Sequence, residues 1–295
     1  DLNWRAGSPP FVEGLRPNVL SQASTVISVW GQNFGTSAAI SCVFAGTPVT
    51  ATRVSNTLLT CTSPASLPVL NPSGLTVTDF WLSVASSLYV SHTVRLWYEN
   101  PVTVSSISPT SGPLTGGTAV TVVGTFFRDH TSLACRFGLV TNVVTARYVS
   151  PTTVICSSPA QRVTGAVALE VTNNRVHFSS NNVQFTYAAE ATITAVAPAI
   201  AYTSGGASIA VTGTNFIMAP TVSFCRFGNV SRSSTVTSST QLTCLSPALP
   251  AGTYTIEVSM NYGVDWTSDG WQFTVLAQPS IDSVSPSVSR TQVVQ

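Results

Sequence analysis

Six cysteines are the residues of this 295-residue chain best placed to do chemistry. They fall as Cys42 and Cys61, Cys135 and Cys156, and Cys225 and Cys244, separated by 19, 21 and 19 residues. Paired cysteines either close a disulfide or ligate a metal. Ligation calls for C-x-x-C or regularly placed histidines. No C-x-x-C occurs, and His92, His130 and His177 bear no regular relation to the pairs. The expectation is therefore one disulfide per pair, each closing a loop of about 20 residues and worth ~3 kcal/mol in the chain-entropy model. Disulfides at this density predict an oxidising, extracellular location, secreted or at the cell surface.

Catalytic constellations are sparse. Acid–base work needs paired carboxylates or a positioned histidine, and the 11 acidic residues mostly stand alone. Asp129-His130 is the nearest thing to a dyad, and a solvated loop accounts for it. All 12 basic residues are arginine, which excludes a phosphate-loop lysine and Schiff-base chemistry. No G-x-S-x-G elbow, H-E-x-x-H or phosphate loop is present. The chain is expected not to be an enzyme and to hold no cofactor and no metal. Asp265 and Asp269 lie in a Gly-containing stretch where Ca²⁺ could bind. The matching stretch 173–182 has no acid, which argues against a repeat-wide calcium role.

Other residues suit contact or modification. Trp266 is expected at a loop tip, as a candidate contact with a sugar or protein partner, while Trp271 alternates with Phe273 and is expected to face a core. Asn229 begins Asn-Val-Ser, the chain's one acceptor sequence for an N-linked glycan, since Pro72 disqualifies Asn71. Ser and Thr make up about a quarter of the chain and are further places for covalent glycans.

Composition removes several classes of partner. Charged residues are only 8% and the net charge is +1, so no long-range field attracts nucleic acid or an anionic membrane. Hydrophobic residues are 44%, too many for disorder. No apolar run reaches the ~18 residues of a membrane span.

The cysteines belong to a repeat. Cys135-Arg136-Phe137-Gly138 recurs as Cys225-Arg226-Phe227-Gly228, with a degenerate form, Cys42-Val43-Phe44-Ala45-Gly46, upstream. Each second cysteine precedes Ser-Pro-Ala, at Ser63, Ser158 and Ser246. Each first cysteine follows a β-rich run closing on a glycine and a phenylalanine: Gly31 with Phe34, Gly124 with Phe127, and Gly213 with Phe216. Opening strands close on Ser108-Pro109 and Ala197-Pro198, and the pattern recurs at Val284-Ser285-Pro286. Residues 1–10 then end a preceding segment or leader. Three domains occupy 11–99, 100–188 and 189–277. Residues 278–295 hold the first strands of a fourth domain, or a strand donated to the next subunit. In either case Ile281 and Val284 are candidate contact residues.

Period-two alternation, as in Val167–Val171 and Tyr254–Val258, marks strands. Turn signals at Gly116-Gly117, Gly205-Gly206, Asn173-Asn174 and Asn261-Tyr262-Gly263 separate them. No useful helical period is present. About seven short strands in ~90 residues predict an all-β fold of tandem immunoglobulin-like β-sandwiches, with a small barrel as the alternative.

The landmark order resembles the IPT/TIG domain, an Ig-like module of plexins, scatter-factor receptors, fibrocystin-like proteins and some transcription factors. The match is fullest in the second repeat: Ser108-Pro109, Gly116-Gly117, Gly124, Phe127, Cys135-Arg136-Phe137-Gly138 and Cys156 through Ala160. The first repeat departs from it, with Arg16-Pro17 at the opening and Gln22-Ala23-Ser24 in place of the glycine pair. The resemblance implies a fold and not a single function. The leading functional expectation is an extracellular structural or adhesive repeat protein. It would be a building block of a stiff rod or filament, joined head-to-tail to copies of itself or to further repeats of the same chain. The alternative is an ectodomain segment of a plexin-like or fibrocystin-like cell-surface receptor, with other cell-surface proteins as partners. A DNA-binding Ig-like factor would need clustered basic loops and reduced cysteines, and neither is expected.

Overall fold

The structure is a computed structural model that describes residues 10–35, 39–66, 74–84, 87–218 and 223–285. Residues 1–9 of the expected leading segment and 286–295 of the expected fourth domain lie outside the described residues.

The chain is all-β and forms Ig-like sandwiches rather than barrels. In the first repeat, β1 (Phe11–Arg16), β3 (Val26–Gln32), β7 (Leu58–Thr62) and β6 (Thr52–Arg53) make one sheet, in the order β1-β3-β7-β6. The other sheet runs β2 (Val19–Leu20), β9 (Ser87–Glu99), β8 (Leu75–Val84), β4 (Ile40–Phe44), β5 (Thr47–Thr50). The second repeat has the same plan. One sheet is β10 (Thr103–Ser108), β12 (Ala119–Thr125), β16 (Thr153–Ser157), β15 (Arg147–Ser150). The other is β11 (Ser111–Pro113), β18 (Gln184–Ala188), β17 (Gly165–Thr172), β13 (Ala134–Phe137), β14 (Val143–Thr145).

In the third repeat the two sheets are joined. The order is β19 (Thr192–Ala197), β21 (Ser208–Thr214), β24 (Gln241–Leu245), β23 (Val230–Ser238), β22 (Phe224–Phe227), β25 (Gly252–Ser259), β26 (Gln272–Leu276), β20 (Ile200–Tyr202). The join is β23, which pairs with β22 through Ser233 and with β24 from Ser234 onward. The equivalent strand is interrupted at Ala51 in the first repeat and at Ala146 in the second.

The repeated residues have physical jobs. A Cβ at Gly31, Gly124 or Gly213 would sit 1.8, 1.9 or 2.0 Å from the carbonyl oxygen of Phe11, Thr103 or Thr192. It would also sit 2.5–2.7 Å from the ring of Phe34, Phe127 or Phe216. The Gly-x-x-Phe landmark thus records a strand crossing too close for any side chain. The glycine pair supplies a left-handed turn, at φ 74° and 84° in Gly116 and Gly117. The first repeat keeps only the second left-handed residue of that turn, holding Ser24 at φ 54° in the place of Gly117.

Each core is built around a cysteine pair. Cys42 joins Cys61, Cys135 joins Cys156 and Cys225 joins Cys244, with Cα–Cα distances of 6.3, 6.2 and 6.3 Å, inside the range a disulfide spans. The phenylalanine two residues after each first cysteine is buried edge-to-face on another ring. Phe44 meets Phe80 at 5.3 Å, Phe137 meets Phe185 at 5.3 Å, and Phe227 meets Phe273 at 4.9 Å. Each Ser-Pro-Ala follows the end of its strand. Ser63 and Ser246 are buried there, their hydroxyl oxygens accepting from the amides of Thr25 and Ala207 at 2.9 and 3.0 Å.

By contacts the chain falls into two compact units. One is Asp1–Ser108 with Ala119–Pro159 and Ala166–Phe185; the other is Pro109–Thr118 with Ala160–Gly165 and Thr186–Gln295. The division runs through the second repeat, so its segment Pro109–Thr118 groups with the third repeat.

Candidate functional site at the domain junctions

In the second and third repeats the penultimate and last strands are joined by a long loop. In both, that loop is positioned by the same bonds. Ser179 Oγ accepts from the Val171 amide at 3.0 Å, and Thr267 Oγ1 accepts from the Val258 amide at 3.0 Å. Val171 stands opposite Cys135 and Val258 opposite Cys225, so the two loops share one register. Three residues beyond these valines come Asn174 and Asn261. Two residues before the hydroxyls come His177 and Asp265.

These four side chains reach into the preceding repeat. Asn174 Nδ2 donates to the Val19 carbonyl at 3.0 Å, and Asn261 Nδ2 donates to the Ser111 carbonyl at 3.0 Å. Val19 and Ser111 are equivalent, each opening the short parallel strand that pairs with the last strand of its repeat. The second contact is also repeated. His177 Nε2 lies 2.9 Å from Thr25 Oγ1, and Thr118 Oγ1 donates to Asp265 Oδ2 at 2.6 Å. Thr25 and Thr118 each precede the first paired residue of the second long strand, and both are buried. The first junction lies wholly in one compact unit and the second wholly in the other.

The histidine at the first junction has a defined protonation state. Thr25 Oγ1 donates its one proton to the Gln22 carbonyl at 2.8 Å, so His177 Nε2–H must be the donor to Thr25. Nδ1 then accepts from Ser21 Oγ and Asn174 Nδ2, both at 3.2 Å. Burial holds the His177 pKa below its ordinary value, favouring this neutral form.

Glu99, the last residue of β9, is buried at the same junction with its side chain 2% exposed. Its Oε2 lies 3.1 Å from Arg128 Nε and accepts from Asn173 Nδ2 at 3.3 Å. Burial raises its pKa and outweighs the opposing effects of Arg128 and Asn173. Arg128 Nη2 also donates to the Gly74 carbonyl at 3.1 Å. A cleft of about 550 Å³ opens here, lined by Trp97, Glu99, Phe126, Arg128, His130 and Tyr148. The second junction carries a cleft of about 310 Å³ lined by Pro113, Glu190, Met260, Asp265, Trp266 and Asp269.

Behind each loop stands a second repeated arrangement. Arg136 Nη2 and Nε lie 2.5 and 2.7 Å from Glu170 Oε2, with the guanidinium 4.0 Å from the Phe178 ring centre. Arg226 pairs with Glu257 at 2.5 and 2.7 Å, with its guanidinium 4.4 Å from the Trp266 ring. In the same register the first repeat has Val43 opposite Trp81.

The sequence-expected residues are placed as follows. Trp266 is half-buried under Arg226, with Nε1 donating to the Gly263 carbonyl at 2.8 Å, so it is not an open loop tip. Its ring is held by the cation and by its own turn. Trp271 packs against the third core and donates to the Ile193 carbonyl at 2.8 Å. Asp269 accepts from the Ile193 amide at 2.7 Å, so both Asp265 and Asp269 already serve as hydrogen-bond acceptors within the fold. Asn229 is exposed in the two-residue turn between β22 and β23. Ile281 and Val284 are exposed, 84% and 69%, and form no strand. Asp129 and His130 do not meet as a dyad, His130 Nδ1 lying instead 3.0 Å from Ser132 Oγ. Sequence reasoning missed the junction residues. Asn174 and Asn261 stood out only as turn signals, although their matching distance from the cysteine register was readable.

The class of the fold is thus a tandem array of disulfide-centred Ig-like domains. The IPT/TIG domain model matches residues 10–92, 101–187 and 191–275, and the chain belongs to the IPT/TIG domain family. Human Plexin-A4 is 26% identical over 182 residues, covering 59% of this chain and 9% of that protein. Mouse Plexin-A2 is 33% identical over 156 residues, 52% of this chain and 8% of that protein. Human Fibrocystin-L is 35% identical over 125 residues, 40% of this chain and 3% of that protein. The chain therefore spans less than a tenth of the length of these relatives. A solved structure of the full extracellular region of Plexin A4 aligns with a TM-score of 0.46 at 18% identity, over 93% of this chain and 25% of that one. The sequence relatives Plexin-A4, Plexin-A2 and Fibrocystin-L favour the receptor-segment expectation over the filament building block. With its three disulfides the chain is extracellular or at the cell surface. No helix among the described residues is long and apolar enough to cross a membrane.

Proposed function

We propose that this chain is an ectodomain segment of a cell-surface receptor of the plexin or fibrocystin-L kind. Its three domains, 11–99, 100–188 and 189–277, act as a non-catalytic, partner-contacting segment. The observation that carries the reading is the family match over all three repeats, together with the similarity to Plexin-A4 over 59% of the chain. The repeated junctions support it, because each loop fixes the domain before it. Other cell-surface proteins are the partners, and Asn229, exposed on its hairpin, carries an N-linked glycan.

The test is expression of the native polypeptide containing this chain in secretory cells, followed by surface biotinylation and non-reducing mass spectrometry. Expected are a membrane-anchored, surface-labelled form and a mass shift on glycosidase treatment that Asn229→Gln abolishes. A polypeptide secreted only as filaments would return the reading to the filament building block. Six free thiols in an unlabelled intracellular form would overturn both.

A further inference from the structure

The loop contacts occur twice in three repeats, and the third repeat carries the same seat. Ile200 opens its short parallel strand opposite Thr274, in the register of Val19 opposite Trp97 and Ser111 opposite Thr186. The amides of Trp97, Thr186 and Thr274 donate to Asn18, Thr110 and Ala199, each at 2.9 Å, which confirms the equivalence. At the first junction Ser21 is 4% exposed and Glu99 is buried. Their counterparts in the third repeat, Tyr202 and Leu276, are 48% and 45% exposed, and Ile200 beside them is 54% exposed. Three neighbouring large apolar side chains are thus exposed at positions that are buried or half-buried in the other two repeats.

One position changes the chemistry of the seat. Thr25 and Thr118 supply a hydroxyl to the neighbouring loop, and the third repeat has Ala207 in that place. A loop seated there can keep the amide-to-carbonyl bond at Ile200 but has no hydroxyl to meet a His or Asp. It must bring an apolar side chain instead, because a buried polar group left without a partner is costly.

We infer that Ile200, Tyr202, Ala207 and Leu276 form the docking seat for the loop of a further IPT/TIG domain in the same polypeptide. That loop carries asparagine at the position of Asn174 and Asn261, and an apolar residue at the position of His177 and Asp265. The inference rests on the receptor-segment reading, in which IPT/TIG domains continue beyond residue 277. The landmark Val284-Ser285-Pro286, repeating Ile107-Ser108-Pro109, supports that continuation. A second copy of this chain fits less well. Its first repeat has Leu82 opposite Cys42, and three residues on the sequence reads Ala85, whose side chain has no amide to donate.

Hydroxyl-radical footprinting of this 295-residue chain and of the longer native polypeptide tests the seat. Tyr202 is expected to be modified about threefold more slowly in the longer polypeptide, with exposed Tyr262 as internal reference. In the 295-residue chain its rate should not depend on concentration. Equal rates in the two proteins, with an IPT/TIG domain present after residue 277, overturn the seat and leave the receptor reading intact. Protection that rises with concentration in the 295-residue chain assigns the seat to a second copy and overturns the inference. A native polypeptide without a further IPT/TIG domain overturns it together with the continuation it rests on.

Discussion

The side-chain amide of Asn261 donates to the main-chain carbonyl of Ser111 at 3.0 Å, across 150 residues of sequence. Asn174 repeats the bond to Val19 across 155 residues. Because the acceptor is a backbone atom, the preceding domain is gripped whatever side chain stands there. The variable part is the second contact, His177 with Thr25 in one case and Asp265 with Thr118 in the other. A constant amide bond fixes the mode of contact, and a changeable polar pair distinguishes one junction from the next.

Asn261→Ala should loosen the second junction. Asn261 also donates to Asp265 Oδ2 at 2.7 Å and accepts from the Asp265 amide at 2.9 Å. Its loss strands part of a half-buried carboxylate, at a cost of about 2 kcal/mol. Hydrogen exchange of residues 111–118 should accelerate while the third core, around Ile209 and Phe227, stays protected. Unchanged exchange at 111–118 would show that the bond contributes nothing.

Arg136 and Glu170 are expected to be replaceable together but not singly. Arg136→Val leaves a mostly buried Glu170 carboxylate without its cation and should cost about 1–2 kcal/mol in denaturant unfolding. The double change Arg136→Val with Glu170→Trp copies the Val43–Trp81 pair of the first repeat and should return stability to within ~1 kcal/mol of the parent. A double variant weaker than either single one would refute the equivalence of the registers.

How much of this was legible depended on whether a residue's role was local. Gly124, Phe127 and the cysteines act inside one sandwich, and their spacing recurs because the sandwich recurs. Asn174 and Asn261 act on another domain. A sequence pattern marks them only as turn residues, since asparagine suits a turn with or without a partner. Trp266 looked like an open tip because its partner Arg226 lies 40 residues away on another strand. The Arg–Glu pairs were hidden for the same reason, as Glu170 and Glu257 read simply as the polar phase of an alternating strand.

Gly124→Ala should be among the most damaging single changes in the second repeat. The added Cβ would lie 1.9 Å from the Thr103 carbonyl oxygen and 2.7 Å from the Phe127 ring. Neither neighbour can yield, since one is a paired backbone strand and the other fills the core. A loss of more than about 4 kcal/mol is expected, in the range of severe strain or core disruption. The unfolding midpoint of a Gly35→Ala control, where nothing lies within 4 Å of the new Cβ, should move far less. Similar midpoints for the two variants would rule out the close strand crossing as the reason for the glycine.

The first junction should respond to acid in two opposed ways. His177 is held neutral by burial, with its pKa below the ordinary 6.5. The unfolded chain therefore takes up a proton first as pH falls through 6.5, and stability declines from there down to the folded-state pKa. Protonation at Nδ1 would also turn a proton toward the Asn174 amide, a donor facing a donor. Glu99 works the other way. Its pKa lies above the ordinary 4.5, so the ionised carboxylate is a cost to the folded state at neutral pH, and that cost is relieved as pH falls through the folded-state pKa toward 4.5. Each group contributes a slope of at most about 1.4 kcal/mol per pH unit. Thermal unfolding between pH 7.5 and 4.5 should show a decline below 6.5 that His177→Gln flattens. Glu99→Gln should remove the recovery near 4.5, because the neutral amide carries no charge cost to relieve. A decline below 6.5 that survives in His177→Gln would place the titrating group elsewhere.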